Sequence, residues 1–278
     1  MLNTRRLAVW GDPIAHSRSP QLHTAAYAVL GYDWTYDRRR VAEAEFEAAI
    51  AGLDASWLGL SLTMPLKAIA FRRAVRRDRH AELTGAVNTY LLGVDGPAGF
   101  NTDVGGIVGA LTETGHAGIE SARIIGTGAT ATSALVALHE LGVSRVDVVA
   151  RRPEAVSRLT DLGERLGVAV TSSDLSAGSH PSVPLTIATL PGDADLSDAV
   201  TDALATAGGS LFDVVYGTWP TVLGSAWERA GLPAASGLGM LLHQAVRQIR
   251  VFANGTPDTP VADEDAVLAV MRRALMGD

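Results

Sequence analysis

The architecture of this chain follows from the stretch Ala122-Arg123-Ile124-Ile125-Gly126-Thr127-Gly128-Ala129-Thr130-Ala131, in which a short apolar strand runs into a glycine-rich turn. The turn fits the G-x-G-x-x-G/A fingerprint of dinucleotide-binding βαβ units. Gly126 would make the tight turn, Gly128 would let a pyrophosphate approach the backbone, and Ala131 would allow close helix packing. Glycine-rich turns also occur without ligands, but this one precedes a predicted helix over residues 133–141, whose N-terminus would face the phosphates. We therefore predict a nucleotide site here.

The end of the next strand bears on the choice of nucleotide. Chains that bind NAD usually carry an acidic residue there for the ribose hydroxyls. This sequence has Ala150-Arg151-Arg152 instead, with no carboxylate before Glu154. Two guanidinium groups suit a 2′-phosphate, although a solvated pair of surface arginines gives the same pattern. The sequence favours NADP over NAD.

On both sides of this unit, short apolar runs alternate with longer amphipathic stretches, which is the βαβ rhythm. The pattern predicts an α/β fold with two domains around a cleft. We expect a substrate domain over residues 1–103 and a Rossmann-type domain over residues 104–239. The last part is purely helical, and we expect the helices of residues 240–278 to return to the first domain. Within the first domain, a helix is expected to begin at Pro65, and the arginines between Arg72 and Arg79 have the spacing of a solvated helix face.

Composition excludes several classes of protein. The 278 residues carry a net charge of −7 and no cysteine, which argues against nucleic acid as a partner and excludes disulfides, thiol catalysis and zinc–thiolate sites. No apolar stretch is long enough for a signal peptide or a membrane span, and no ligand cluster predicts a metal. We expect a cytoplasmic protein. The sequence leaves the choice between monomer and homodimer open.

Lysine occurs only once among the 23 basic residues, at Lys67 in Ser61-Leu62-Thr63-Met64-Pro65-Leu66-Lys67. Because arginine does not release its proton near neutral pH and lysine can, this position suggests a need for titration, although a bias against lysine would also leave a survivor. Other polar residues stand where predicted strands end. They are Ser17 and Ser19 in Gly11–Pro20, Asn88 in Gly85–Thr89, and Asp103 in Asn101-Thr102-Asp103. Each has a structural alternative, such as a helix cap or a turn, but α/β proteins bind ligands at these strand ends.

Six ordered motifs resemble those of the shikimate dehydrogenase family over nearly the whole chain. The pattern G-x-P-I-x-H-S-x-S-P spans Gly11 to Pro20 without a gap, and N-x-T-x-P-x-K is present with serine at position 61. G-A-V-N-T spans Gly85 to Thr89, and N-T-D spans Asn101 to Asp103. Two further motifs comprise Asp213, Tyr216, Thr221 and Leu223, and Gly237, Met240, Leu241 and Gln244.

The resemblance implies NADP-linked interconversion of 3-dehydroshikimate and shikimate. By position in the motifs, Ser17, Ser19 and Tyr216 would hold the substrate carboxylate. Thr63, Lys67, Asn88, Asp103 and Gln244 would surround the ring hydroxyls. The implied cofactor residues are Gly126, Gly128, Ala129, Thr130, Ala131, Arg151, Arg152, Thr189, Gly237 and Met240. Our hypothesis for the chemistry is that Lys67 supplies a proton to the developing alkoxide while Asp103 orients the ammonium group.

Departures from the family pattern lie mainly in the cofactor half. The family's G-A-G-G reads Gly126-Thr127-Gly128-Ala129, its N-R-T reads Ala150-Arg151-Arg152, and its N-A-T reads Ile187-Ala188-Thr189. Three alternatives remain open: a quinate/shikimate dehydrogenase that uses NAD, an aminoshikimate-type enzyme, and a non-catalytic sensor of shikimate-like ligands. Quinate-type members tend to have threonine at the Ser17 position and an acid near Ala150, and this chain has neither. A sensor would be expected to lose Lys67 or Asp103, and both are present.

Overall fold

The computed structural model describes residues 4–276. Residues 1–3 and 277–278, with which the predicted ranges 1–103 and 240–278 begin and end, lie outside the described part of the chain. The fold divides into two compact units. The first combines the chain up to Gly106 with the chain from Leu241 onward, and the second is Ile107–Met240.

A six-stranded sheet lies in each unit. The first sheet has the order β2-β1-β3-β5-β6-β4 and the second β12-β11-β10-β7-β8-β9. The strands are β1 (Arg5–Gly11), β2 (Trp34–Arg40), β3 (Trp57–Leu62), β4 (Arg76–Arg77), β5 (Thr89–Leu91), β6 (Ala98–Phe100), β7 (Ser121–Ile125), β8 (Arg145–Ala150), β9 (Ala169–Asp174), β10 (Leu185–Ala188), β11 (Ser210–Asp213) and β12 (Ala234–Ala235).

The helices connect these strands in α/β fashion. They are α1 (Ser19–Leu30), α2 (Phe46–Ala51), α3 (Lys67–Arg73), α4 (Arg79–Thr84), α5 (Thr102–Glu113), α6 (Ala129–Glu140), α7 (Ser157–Leu166), α8 (Asp198–Thr206), α9 (Val222–Arg229), α10 (Leu238–Asn254) and α11 (Glu264–Met276). Short 3₁₀ turns precede α2 and α7. The α/β fold class predicted from the sequence is confirmed.

Strand direction in the first sheet explains where its polar residues gather. β1 is parallel to β2 and β3, whereas β5 is antiparallel to both β3 and β6. The C-terminal ends of β1, β3 and β6 therefore lie at the same edge as the start of β5. The segments that follow β1, β3 and β6, and Asn88 immediately before β5, all meet there.

The second sheet is parallel throughout, and its strands β7, β8, β10 and β11 are largely buried on both faces. Ile124, Val148 and Ile187 are fully buried in its centre. One charged pair interrupts this core, because Arg123 of β7 lies beside Asp147 of β8 in the strand register. The Arg123 Nε atom donates to Asp147 Oδ2 at 3.2 Å, with side chains 0% and 5% exposed.

The C-terminal helices belong to the first unit, as predicted. α11 packs against α1, where the Gln21 side-chain amide donates to the carbonyl oxygen of Ala274. Gln248 of α10 bonds to Ser61 of β3 and to His23 of α1. α10 therefore contacts the interior strand β3 and the helix α1, although both lie more than a hundred residues earlier in the sequence.

Three local predictions, and the alternative that Ser19 caps a helix, were wrong. α3 begins at Lys67 rather than Pro65, because residues 64–66 form a turn that contains a cis Met64–Pro65 bond and closes with a Leu66 N–H to Thr63 carbonyl hydrogen bond of 2.8 Å. The Arg72–Arg79 stretch is not one helix, because Ala74 is extended and Asp78 caps the next helix. α6 begins at Ala129, earlier than predicted. Ser19 is the first residue of α1 and not its cap, and Arg18 at the cap makes no side-chain cap bond.

Candidate active site

Lys67 and Asp103 form the centre of the polar cluster in the first unit. Lys67 opens α3 and Asp103 lies in the first turn of α5, and the Lys67 Nζ atom donates to Asp103 Oδ2 at 2.6 Å. The side chains are 14% and 3% exposed. A largely buried ammonium–carboxylate pair has a fixed geometry and is weakly screened by solvent. It can therefore hold a proton donor at a defined point.

Asn88 connects this pair to its neighbours. The Asn88 Nδ2 atom donates to Asp103 Oδ1 at 2.7 Å and to Gln244 Oε1 of α10 at 3.4 Å. Its Oδ1 atom accepts from the Thr102 N–H at 2.8 Å and from the Thr89 hydroxyl at 2.9 Å. The 2% exposed amide is thus held in one orientation by bonds to both of its ends.

The segment Asn101-Thr102-Asp103 owes its shape to a residue that the sequence reading did not single out. The Asn101 Oδ1 atom accepts from the N–H groups of Asp103 at 3.0 Å and Val104 at 3.4 Å. This is the bonding of an N-cap, so Asn101 and not Asp103 caps the start of α5. Asp103 is left with both carboxylate oxygens available to Lys67 and Asn88.

Ser17 and Ser19 follow β1 and Thr63 follows β3, and the ends of these two strands are in close contact. The Thr63 N–H donates to the Trp10 carbonyl at 3.0 Å, and a Cβ atom at Gly11 would lie 2.4 Å from Thr63 Cγ2. Only glycine fits at position 11 for this reason. Ser17 and Ser19 are 6% and 7% exposed.

Two arginines of β2 bind the segment between β1 and α1, which contains Ser17. Arg40 binds both oxygens of Asp12 at 2.8 and 2.9 Å, and the Arg38 guanidinium donates to the Ala15 carbonyl. The Arg40 guanidinium lowers the pKa of Asp12 through this pairing. β2 is also an edge strand of the sheet, and charged side chains there discourage pairing with another chain.

A buried polar network lies beneath these groups and was not anticipated from the sequence. Ser61 Oγ donates to Gln248 Oε1 at 3.0 Å, His23 Nε2 lies 3.2 Å from the same oxygen, and His23 Nδ1 lies 2.9 Å from the Tyr27 hydroxyl. The four residues are between 0% and 4% exposed. The imidazole ring also stacks on Tyr36 at a centroid distance of 3.9 Å. We call this set the His23–Gln248–Ser61 network.

The pH dependence of stability should carry the signature of His23. Burial lowers the pKa of His23 to about 3, and the bond to Gln248 opposes this shift more weakly. Its neighbours Tyr27, Tyr36, Phe252, Gln248 and Ser61 carry no charge near neutral pH. Below the ordinary pKa of 6.5, the unfolded chain binds a proton that the folded protein rejects. Stability from the neutral ring is therefore lost as the pH falls from 6.5 towards 3, at about 1.4 kcal/mol per pH unit.

Urea unfolding of the wild type and a His23→Gln variant at several pH values between neutral and mildly acidic measures this effect. We expect the variant to show a slope of unfolding free energy against pH that is smaller by about one proton. Equal slopes in the two proteins would show that His23 does not titrate in this way.

In the second unit, the predicted nucleotide turn has the required backbone. Gly126 has φ +112°, and a Cβ atom there would lie 2.5 Å from Thr189 Oγ1. Gly128 is the N-cap of α6 without a side-chain cap bond, and a Cβ atom there would meet nothing within 4 Å. Packing within the protein therefore requires glycine at position 126 but leaves open space at position 128. The first turn of α6 has no acidic residue, so its N-terminus can accept an anion.

A cavity of about 680 Å³ adjoins this turn within the second unit. Arg151 and Arg152 line it from the end of β8 and are exposed, and neither has a carboxylate partner among residues 4–276. Its size and its free guanidinium groups fit the adenosine end of a phosphorylated dinucleotide. Sequence reasoning missed the opposite wall, which consists of Leu190, Pro191, Asp193, Ala194, Asp195 and Leu196.

The other predicted cofactor residues have varied surroundings. Ala131 is a fully buried residue of α6, as close helix packing requires, while Ala129 and Thr130 begin the same helix. The Thr189 hydroxyl donates to the Ile125 carbonyl at 2.9 Å. Gly237 permits a close backbone approach, because its Cβ atom would lie 2.1 Å from the Val214 carbonyl oxygen. Met240 is buried, and none of these six residues lines the cavity described above.

Tyr216 also lies in the second unit, in the loop that follows β11, and is half-buried. Asp213 and Thr221 close this loop, since the Thr221 hydroxyl donates to Asp213 Oδ2 at 2.7 Å and the Val215 N–H donates to Asp213 Oδ1 at 3.0 Å. Burial raises the pKa of Asp213, and these two hydrogen bonds oppose the shift. The Asp and Thr of this motif thus shape the loop that carries the tyrosine.

Within residues 4–276, no cluster of three or more His, Asp or Glu side chains has the arrangement of a metal site. Among the helices of the same residues, none has both the length and the apolar character that crossing a bilayer requires.

Comparisons with known proteins agree with the motifs. Residues 9–90 match the family model described as the shikimate dehydrogenase substrate binding domain. A shikimate dehydrogenase (NADP(+)) of Methylobacterium radiotolerans is 36% identical, with 96% of this chain and 97% of the relative covered. The corresponding protein of Methanothermobacter thermautotrophicus is 33% identical, with 97% and 98% covered.

Solved structures extend the likeness to the fold. The crystal structure of Mycobacterium tuberculosis shikimate dehydrogenase has a TM-score of 0.85 at 38% identity, covering 99% of this chain and 100% of that chain. A Thermus thermophilus structure in complex with NADP(H) and shikimate has a TM-score of 0.77 at 27% identity, with 98% and 100% covered.

Proposed function

This chain belongs to the shikimate dehydrogenase family, and from this premise we propose that it catalyses the reversible NADP-dependent reduction of 3-dehydroshikimate to shikimate in aromatic amino acid (chorismate) biosynthesis. The observation that carries the proposal is the buried Lys67–Asp103 pair with Asn88 and Gln244 bonded around it. Relatives of nearly the same length that are named for this activity support it, as does the solved relative that holds both NADP(H) and shikimate.

The assignment of roles follows the polar groups of each unit. We propose that residues 1–103 and about 240–278 bind the substrate and that residues 104–239 bind the cofactor. The hydroxyls of Ser17, Ser19 and Tyr216 suit the substrate carboxylate. The groups assigned to the ring hydroxyls are Thr63, Lys67, Asn88, Asp103 and Gln244.

Proton transfer is assigned to Lys67. Bound NADPH supplies the hydride that reduces the C3 carbonyl carbon. The Lys67 ammonium stabilises the negative charge that develops on the carbonyl oxygen and gives it a proton, and in the reverse direction the amine takes that proton back. Asp103 holds the Nζ atom in place through its Oδ2 atom, while Asn88 keeps the carboxylate from rotating through the bond to Oδ1.

Cofactor binding is assigned to the glycine turn and the two arginines. The N-terminus of α6, with its backbone N–H groups, would hold the pyrophosphate, and Gly128 leaves room for it. Arg151 and Arg152 would bind the 2′-phosphate. Asp193 and Asp195 line the same cavity. If NAD were bound instead, their carboxylates could accept hydrogen bonds from its ribose hydroxyls.

Loss of the arginine pair should therefore affect NADP⁺ and spare NAD⁺. In an Arg151→Ala/Arg152→Ala variant we expect the KM for NADP⁺ to rise by about 10- to 100-fold, because charge-assisted bonds to the 2′-phosphate are lost. The KM for NAD⁺ should change little. Arg165→Ala, an exposed arginine on α7 away from the cavity, is the matched control and should leave both values unchanged. A parallel rise for both cofactors would contradict a role specific to the 2′-phosphate.

The experiment that tests the proposed function measures nicotinamide reduction with shikimate or quinate, each paired with NADP⁺ or NAD⁺. Activity confined to shikimate with NADP⁺ supports both the substrate and the cofactor assignment. Higher activity with quinate and NAD⁺ would overturn both assignments and support the quinate-type alternative. No activity in any pair, from a folded protein, would support a non-catalytic sensor. Aminoshikimate as an added substrate tests the remaining alternative.

Two further parts of the proposal concern the state of the protein. A chain without cysteine fits a reducing compartment, so we propose the cytoplasm as the place of action. The working form is proposed to be a monomer or a homodimer, and light scattering of the purified protein decides between them.

A further inference from the structure

The three residues of the His23–Gln248–Ser61 network each lie close in sequence to one of the proposed substrate-binding residues. On α1, His23 follows Ser19 by four residues, and on α10 Gln248 follows Gln244 by four. Residues at this spacing lie on the same face of a helix. Ser61 precedes Thr63 by two residues, and the bond from the Thr63 N–H to Trp10 continues the strand pairing of β3 to that point. The network therefore joins the three elements that carry Ser19, Thr63 and Gln244.

Hydrogen-bond polarity makes Gln248 the common acceptor of the network. Ser61 Oγ–H and His23 Nε2–H both point to Gln248 Oε1, at 3.0 and 3.2 Å. The Tyr27 hydroxyl, 2.9 Å from Nδ1, then donates to the remaining ring nitrogen. The Ser61 hydroxyl, His23 Nε2–H and Tyr27 hydroxyl each have an acceptor when the imidazole is neutral and protonated on Nε2. This agrees with the low pKa that burial gives His23.

Burial prevents solvent water from replacing the hydrogen bonds of the network. His23 is 0% exposed, Ser61 2% and Gln248 4%. If the Gln248 oxygen is removed, two buried donors lose their acceptor at once, and the three elements must shift to satisfy them. Ser19, Thr63 and Gln244 would then no longer meet the substrate in one arrangement, so their hydrogen bonds to it and its affinity should weaken.

We propose that Gln248 is a positioning residue for the shikimate site, fixing α1, β3 and α10 against each other so that Ser19, Thr63 and Gln244 converge on one substrate. This inference rests on the proposed function and adds to it a residue that touches neither substrate nor cofactor. All members of the network belong to the first unit, whereas the cofactor cavity belongs to the second. The effect of Gln248 should therefore be confined to the organic substrate.

The test compares Gln248→Met, which keeps the length of the side chain without an acceptor, with Gln248→Glu, which restores an acceptor at the same place. For Gln248→Met we expect the KM for shikimate, and its dissociation constant by calorimetry, to rise by about 10- to 100-fold, because several hydrogen bonds to the substrate weaken together. The KM for NADP⁺ and the pH profile of kcat should remain those of the wild type. Gln248→Glu should recover most of the affinity for shikimate.

Two controls separate positioning from a general loss of stability. Ile249→Val on the same helix trims a fully buried apolar side chain and should lower the melting temperature without changing the KM for shikimate. Ser61→Ala removes a single donor and keeps the assay decisive if Gln248→Met does not fold. It should raise the KM for shikimate by a smaller factor, and the double variant should show less than the product of the two effects.

Each outcome has a distinct meaning. An active wild type together with an unchanged KM for shikimate in Gln248→Met, or in Ser61→Ala if the former does not fold, would overturn this inference and leave the proposed function intact. Equal increases in KM for shikimate and NADP⁺ would also overturn it, because they indicate a disturbance of the whole protein. A wild type that is folded but inactive with shikimate would overturn the proposed function and this inference together.

Discussion

Replacing Lys67 with alanine should lower kcat for shikimate oxidation by about 100-fold or more, while the KM for shikimate changes little. The reason is that the ammonium makes its decisive interaction with the alkoxide, which exists only as the reaction proceeds. The measurement is steady-state kinetics with shikimate and NADP⁺. Thermal unfolding of the variant checks that the buried Asp103, left without its 2.6 Å partner, has not unfolded the first unit.

Two further variants show which property of Lys67 is used. Lys67→Arg keeps a positive charge beside Asp103 but does not release a proton near neutral pH, so it should remain nearly as impaired as Lys67→Ala. Asp103→Asn should also lose most activity, because the amide no longer fixes the ammonium by charge. If Lys67→Arg turned over at close to the wild-type rate, charge and not proton transfer would be the contribution of this residue. Wild-type turnover in Asp103→Asn would count against the pairing.

The largest effect on stability is expected at the other buried pair, Arg123 and Asp147 in the second sheet. Asp147→Ala should reduce the free energy of unfolding by about 3–5 kcal/mol, because it leaves a charged guanidinium buried without its carboxylate. Asp147 also accepts from the Ser173 hydroxyl at 2.7 Å, so a second donor is stranded by the same change. Guanidinium chloride unfolding of the whole protein measures the loss.

A double variant tests the physical reason for that loss. Arg123→Met/Asp147→Leu removes both charges and fills the space with apolar atoms, and it should be considerably more stable than Asp147→Ala. Burial lowers the pKa of Arg123, which shows that the protein interior opposes its charge and that Asp147 offsets this cost. A double variant as unstable as Asp147→Ala would mean that lost packing, and not the unpaired charge, causes the destabilisation.

Much of the fold was accessible from the sequence because it depends on local patterns. The strand–glycine turn–helix at Gly126 and the alternation of apolar runs predicted the α/β class, which the structure confirms. The return of the C-terminal helices to the first unit was also predicted correctly. Lys67, Asn88 and Asp103 were singled out as polar residues at or near the ends of predicted strands, and Gln244 came from motif resemblance. The structure joins the four by hydrogen bonds.

Other features depend on interactions that a local pattern does not contain. The start of α3 was misplaced because proline suits both a first helical turn and the turn that is present. In that turn the Met64 carbonyl accepts from the N–H of Asp12, a residue distant in sequence. The arginines from Arg72 to Arg79 have helical spacing, but Asp78 caps a new helix and ends that reading.

Long-range pairing explains the remaining misses. Gln248 is hydrogen-bonded to Ser61, which lies 187 positions earlier in the sequence, and to His23, which lies 225 positions earlier. No sequence spacing indicates such partners. The cavity wall formed by Asp193 and Asp195 follows β10, and only the parallel order of the strands brings it opposite Arg151.

The single lysine of this protein allows its proposed proton donor to be observed selectively by spectroscopy. With Lys67 as the sole lysine, isotope labelling of that amino acid places one labelled side-chain amine in the whole molecule, at the Asp103 carboxylate. In a magnetic resonance spectrum, the proton that the reaction transfers would then belong to a single resolved signal. Its response to substrate and pH can be followed without removing any residue, so the chemistry of the step becomes observable in the intact enzyme.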